Sequence, residues 1–178
     1  EIAKDKFVIS NTPGTIYENL IIMPLRLSED VGAAPGDIMA FNVITGKLEW
    51  VFHTIPYPDE PGYETWENKD AYKNELIGAA NNWAGMALDE QTGVIYIPTG
   101  SAAPDFYGGL RKGDNLYADC LLALDAKNGK LLWNTIFSDT DTLAESQPNK
   151  EVMLSIFKFI PNGNHKKVYN KSVAFEQF

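Results

Sequence analysis

The amino-acid sequence predicts an all-β fold assembled from repeated hairpins. Three observations predict it: a segment that recurs three times, a glycine-centred turn inside each copy, and weak helical periodicity throughout. Residues 40–50 read AFNVITGKLEW, residues 87–97 read ALDEQTGVIYI and residues 123–133 read ALDAKNGKLLW, so the copies start 47 and 36 residues apart. Offsets near 40 residues are the signature of stacked repeat units, each too small to bury its own core.

In chain order, TIYENLIIMP (15–24) suggests strands, with Glu18-Asn19 interrupting two apolar, β-rich runs. Each repeat then supplies a hairpin. A short apolar strand ends at Asn42, Asp89 or Asp125, whose side chain can accept bonds from the backbone amides ahead of it. Four residues later Gly46, Gly93 or Gly129 can take the positive φ that a tight turn demands, and LEW, VIYI or LLW begins the return strand. VIYIPTG (94–100) reads as a further strand. Between the repeats lie long polar and aromatic insertions at 54–82 and 101–117, and in a compact β fold such insertions usually sit at a mouth and carry function. From about Ser138 onward no copy of the repeat recurs. There VMLSIFKFI (152–160) suits a strand and HKKVYNK (165–171) a solvated basic end, which sets a boundary between 1–137 and a divergent tail, 138–178.

Composition narrows the function. With 44% hydrophobic residues in 178 the chain can bury one real core. A formal charge of −9 repels phosphate backbones and anionic lipid heads, so nucleic acid is not an expected partner. Charges interrupt every apolar run before the roughly 18–20 residues a membrane span needs. The start, EIAKDKFVIS, has no leader-like apolar core, so an export signal or membrane contact is expected only from parts outside this sequence. Cys120 is the only cysteine, and neither His53 nor His165 has a metal-like spacing to it or to the other. His53, at a strand exit in VFHTIP, suits a hydrogen-bonded structural role. No Gly-x-Gly-x-x-Gly follows a strand, which leaves a nicotinamide cofactor without support.

The three copies resemble the tryptophan-docking motif of quinoprotein dehydrogenases, roughly Ala-x-Asp-x-x-x-Gly-Lys-x-x-Trp. Trp50 and Trp133 fill its last position, whereas the central copy has Val94 for Lys and Ile97 for Trp. The connecting segments 28–66 and 81–133 are similar to membrane-type quinoprotein glucose dehydrogenases and their glycerol and alcohol dehydrogenase relatives, over about residues 8 to 134. The resemblance implies a partial eight-bladed β-propeller of about three blades, with Trp50 and Trp133 packed between neighbouring blades. It implies pyrroloquinoline quinone (PQQ) and Ca2+ as cofactors, a sugar or alcohol substrate with glucose favoured, a quinone or cytochrome as electron acceptor, and a periplasmic location.

It also implies roles for particular residues. Trp83, in NNWAG, matches the tryptophan on which the flat quinone stacks; the alternative is a core or docking tryptophan. Asn81, Arg26 and Asn11 fall where relatives place polar contacts to the quinone, and a guanidinium suits its carboxylates. Glu29, in LRLSED, matches a glutamate ligand of Ca2+, and Ser101, in PTGSAAPD, stands where many relatives have an asparagine ligand, a departure shared with glucose dehydrogenases. Arg111, in the mouth segment 105–115, suits a structural carboxylate better than substrate. Relatives carry a His-His-Asp-x-Trp-Asp segment soon after the last motif, holding the general base. Here the chain reads NTIFSDTDTLAESQP, and although Asp139 and Asp141 lie near that place, the catalytic base stays unassigned. The 178 residues are too few for eight blades, so the isolated chain is expected to be inactive. A non-catalytic propeller serving as a protein-binding scaffold is the alternative. It shares the repeats but has no reason to keep NNWAG, PTGSAAPD or the 54–82 connection.

Overall fold

The computed structural model describes residues 6–10 and 12–136, and the expectations for Asn11, Asp139, Asp141, His165 and the 138–178 tail lie outside these residues. In chain order the strands are β1 Val8–Ile9, β2 Thr15–Tyr17, β3 Leu20–Met23, β4 Arg26–Leu27, β5 Ile38–Asn42 and β6 Leu48–Phe52. They continue with β7 Gly78–Ala79, β8 Ala87–Asp89, β9 Val94–Pro98, β10 Ala102–Ala103, β11 Cys120–Asp125 and β12 Leu131–Ile136. The described residues hold no α-helix, only three single 3-10 turns, one of them Tyr63–Thr65.

Two four-stranded antiparallel sheets carry the architecture, ordered β2-β3-β5-β6 and β8-β9-β11-β12, and two short pairs, β1-β4 and β7-β10, lie beside them. The three sequence copies therefore do not seed three sheets among the described residues. Copies 40–50 and 123–133 each span the last hairpin of a sheet, whereas 87–97 spans the first hairpin of the second. This explains the missing tryptophan of the central copy. Its last residue, Ile97, sits on an inner strand opposite Leu122 and is fully buried, while Trp50 and Trp133 occupy outermost strands.

The turns form as their residues dictate. Asn42 Oδ1 accepts the Ile44 and Thr45 amides at 3.0 Å each, Asp125 Oδ1 accepts Lys127 N–H at 2.9 Å, and Asp89 Oδ1 accepts Gln91 N–H at 3.0 Å. Gly46 and Gly129 close equivalent turns with φ of 71° and 72°.

Gly129 serves a second purpose. A Cβ there would stand 2.5 Å from the Trp50 ring, so the first sheet's tryptophan lies flat on the second sheet's turn. Trp50 is 9% exposed, and its Nε1–H donates to the Ala126 carbonyl at 3.2 Å. Ile22, Ile38 and Ala40 join Ile95, Leu122 and Leu124 in the core between the sheets. Trp133, at the same place in the second sheet, is 37% exposed and touches Tyr96.

The 54–82 insertion builds its own small core from Ile55, Trp66, Ala71, Ile77 and Ala80, into which Ala102 and Ala118 pack. Trp66 is buried and donates to the Leu116 carbonyl at 3.3 Å. The insertion thus braces the β7-β10 pair instead of lying loose over it.

One buried acid sits under this insertion. Asp37 is 6% exposed, near His53, whose Nδ1 lies 2.8 Å from Glu60 Oε1. Burial pushes the Asp37 carboxyl up to about 6; His53 and the Thr54 N–H pull it back down, and Glu60 adds to the rise. The folded chain therefore holds this proton more tightly than the unfolded chain. Its contribution is fully present below about pH 4 and is lost as the pH climbs through about 6. Asp37→Asn, which keeps an oxygen for the Thr54 amide, should stabilise the chain by roughly 2–3 kcal/mol near neutral pH and change little near pH 4. Chemical denaturation at the two pH values checks this, and equal stability of variant and parent at neutral pH would exclude it.

Candidate functional site

The segments that join the sheets meet in a cleft of about 370 Å3. It is lined by Arg26 and Glu29 from the β4 side, Asn81 and Trp83 after β7, and Ser101 and Asp105 around β10. Five of the six residues that the resemblance assigns to the quinone and the cation are thus brought together, the sixth being Asn11, outside the described residues.

Close backbone approach makes this convergence possible. A Cβ on Gly78 would stand 2.0 Å from the Ala33 carbonyl oxygen, and one on Gly36 would stand 2.2 Å from that of Ala79, so no side chain fits at either. Ala79 and Ala80 both take left-handed conformations, φ 55°, and cross-links hold them there. Ala80 N–H donates to the Ser101 carbonyl at 3.1 Å, Gly100 N–H donates to that of Asn81 at 3.0 Å, and Asn81 Nδ2 donates to that of Leu25 at 2.6 Å. Asn81 therefore borders the cleft while its amide nitrogen pins the two sheets' connections together.

Trp83 is 60% exposed and takes no part in the core of the described residues. Its indole lies over Gly100, where a Cβ would come within 3.0 Å of Nε1, and its carbonyl accepts the Thr12 hydroxyl at 2.8 Å. A flat apolar plane is thus offered to the cleft on a glycine bed. Glu29 and Arg26 are exposed beside it. Ser101 Oγ–H points to Asp119, 3.0 Å from Oδ1, leaving its oxygen lone pairs for another partner.

Asp105 was not singled out from the sequence. Its N–H donates to the Glu29 carbonyl at 3.1 Å, placing a second carboxylate on the same wall. The signal was its place in PTGSAAPD, four residues after Ser101, but only the loop's fold turns it inward. Arg111 holds that loop, donating to the carbonyls of Pro104 at 3.4 Å and Asp105 at 3.3 Å and to Asn115 Oδ1 at 3.4 Å. The structural role favoured for it is the one seen, although backbone carbonyls and an amide take the place of the carboxylate.

The donor set suits the two groups that the resemblance implies. Oxygen donors from Glu29, Ser101 and Asp105 match a hard divalent cation, and a guanidinium beside an open indole matches a flat polycarboxylate. Among the described residues no three His, Cys, Asp or Glu side chains gather tightly enough to hold a metal by themselves, so other ligands would complete such a site.

The family model described as "PQQ: Glucose/ethanol/alcohol dehydrogenase, beta-propeller domain" matches residues 1–155. The chain belongs to the PQQ quinoprotein dehydrogenases. Among this family's members, the quinate/shikimate dehydrogenase (quinone) of Acinetobacter baylyi is 36% identical over 139 residues, 75% of this chain and 16% of that protein. Quinoprotein glucose dehydrogenase A of Acinetobacter calcoaceticus is 32% identical over 126 residues, 69% of this chain and 15% of that protein. The chain thus spans about a sixth of the length of these relatives. The solved quinohemoprotein alcohol dehydrogenase of Comamonas testosteroni superposes with a TM-score of 0.64 at 22% identity, over 75% of this chain and 22% of that one. That likeness establishes the fold as part of a β-propeller, in which each four-stranded sheet is a blade.

Proposed function

We propose that the cleft is one wall of a PQQ site in a dehydrogenase that oxidises a sugar or alcohol, with glucose favoured, and passes electrons to a quinone or cytochrome in the periplasm. The observation that carries this is the exposed Trp83 indole on its glycine bed, facing a cleft that also gathers a guanidinium and oxygen donors. Trp83 stacks on the quinone plane, Arg26 and Asn81 meet its polar rim, and Glu29, Ser101 and Asp105 supply oxygen to Ca2+. When bound, the quinone supplies a two-electron acceptor whose reactive carbonyl is polarised by the cation. This wall binds and orients; no described residue is assigned as the base that takes the substrate's proton. Glucose as substrate rests on Ser101, which stands where many relatives have an asparagine, a departure shared with the glucose dehydrogenases. A protein-binding scaffold shares the repeats but has no reason to keep NNWAG, PTGSAAPD or the 54–82 connection, whose residues line or brace the cleft.

Titrating the purified chain with PQQ, with and without Ca2+, tests the proposal through quenching of tryptophan fluorescence. Saturable quenching that strengthens with Ca2+ is expected, and Glu29→Gln should weaken that Ca2+ dependence about tenfold, the loss of one charge-assisted contact of roughly 1.4 kcal/mol. Absence of saturable quenching under either condition would overturn it.

A further inference from the structure

Ser101 offers the cleft only a hydroxyl, a weaker oxygen donor to a cation than the asparagine amide that stands there in many relatives. What compensates for this is outside the cleft lining. Ser101 Oγ–H donates to the Asp119 carboxylate, 3.0 Å from Oδ1 and 3.3 Å from Oδ2. Ser101 lines the cleft, whereas Asp119 is half-buried and is not among the lining residues.

The backbone fixes this pair from both sides. Asp119 N–H donates to the Gly100 carbonyl at 3.1 Å, Thr99 N–H to that of Cys120 at 2.7 Å, and Ala80 N–H to that of Ser101 at 3.1 Å. Cys120 N–H donates to Thr99 Oγ1 at 3.1 Å, and the Thr99 hydroxyl donates to the Tyr117 carbonyl at 2.6 Å. Residues 99–101 are thus laced to 117–120. Asn115, Tyr117 and Asp119 take left-handed conformations, with φ of 47°, 79° and 46°, which persist only where the surroundings over-determine the backbone. That path brings the Asp119 carboxylate to Ser101 Oγ.

A carboxylate has no hydrogen to give, so the hydroxyl is the donor and its lone pairs stay free for the cleft. The negative charge behind it also polarises the O–H bond and enriches the oxygen. Carboxylates placed behind metal ligands orient them and raise their basicity in this way. We propose that Asp119 is a positioning residue for Ser101: it fixes the direction of the hydroxyl hydrogen, turns the lone pairs to the cation and lends the charge that lets a serine serve in place of asparagine. This rests on the reading of the cleft as a site for PQQ and Ca2+.

The test is the PQQ titration with and without Ca2+, run on the full chain, Asp119→Asn, Ser101→Ala and the double variant. Asparagine tolerates the positive φ at 119 and keeps an acceptor for the serine hydroxyl while removing the charge. Asp119→Asn should reduce the gain in PQQ affinity that Ca2+ brings about tenfold. Affinity without Ca2+ should not change, a split that a purely structural role would not produce. Ser101→Ala should lose at least as much, and adding Asp119→Asn to it should lose nothing further, because the carboxylate acts through the hydroxyl. Should circular dichroism show Asp119→Asn unfolded, Asp119→Gly, at ease with the same φ, takes its place. Losses that add in the double variant, as expected if Asp119 acts on the cation directly, would overturn the proposal. So would an Asp119→Asn variant that responds to Ca2+ like the parent. Both outcomes leave the parent's Ca2+-strengthened quenching intact, whereas its absence overturns the reading of the cleft and this proposal with it.

Discussion

Replacing Trp50 with alanine is expected to lower the stability of the two-blade unit by about 3–5 kcal/mol, the usual cost of truncating a large buried aromatic. Domains of this size are stable by only about 5–15 kcal/mol, so the variant should lie close to unfolding at room temperature. The ring fills the space between the blades, and its removal also orphans the Ala126 carbonyl that now accepts the Nε1–H. Trp133→Ala is the matched control, because it removes the same residue from the same position of an equivalent blade. Its ring is 37% exposed, so its loss should cost far less, about 1 kcal/mol. Urea denaturation of the pair makes the comparison. Equal losses would mean that docking on the 126–129 turn is not what distinguishes the two.

Trp83→Ala is expected to weaken PQQ binding about ten- to a hundredfold while leaving the melting temperature nearly unchanged. The magnitude follows from roughly 1–3 kcal/mol for an aromatic plane stacked on one face of a heterocycle. The separation of the two effects follows from exposure. At 60% exposed the indole contributes little to any core, so its removal is felt only when a ligand covers it. Trp83→Phe, which keeps a plane, should recover part of the affinity. Gly100→Ala should fall between parent and Trp83→Ala, since its methyl would stand 3.0 Å from the indole Nε1 and displace the ring without removing it. Unaltered affinity in Trp83→Ala would remove the central support for the cleft as a quinone site. A large fall in melting temperature would return Trp83 to the core role that its exposure argues against.

Much of the strand architecture was legible because its determinants are local. The turns at Asn42 and Asp125 need an acceptor side chain at the first position and a positive φ four residues later, and both requirements are written in residue type. The central copy shows where local determinants mislead. ALDEQTGVIYI makes the same turn, with Gly93 at φ 69°, and so reads as a third equivalent unit. Turn chemistry does not record whether a hairpin is the first or the last of its sheet. That depends on which strands pair, and only the pairing of β9 with both β8 and β11 shows why Ile97 stands where Trp would be too large.

The cleft divides in a similar way. Trp83, Glu29, Arg26, Asn81 and Ser101 were named from motif positions, and all five line it. Asp105 was passed over, because a carboxylate in a glycine-rich loop gives no sign of its direction until the Arg111 bonds to Pro104 and Asp105 hold that loop. By itself the sequence determined the all-β class and the hairpin turns, which follow from side-chain chemistry and backbone preference within a few residues, whereas the docking role of Trp50 and the residues offered to a quinone and a cation came from the resemblance to a family. Tertiary structure alone decided that the three repeats fall in two four-stranded sheets among the described residues, that Trp83 faces solvent over Gly100 while Trp50 is buried over Gly129, and that Asp105 joins Glu29. These outcomes depend on contacts between residues far apart in the chain, where packing, and not residue type, assigns each side chain its neighbours.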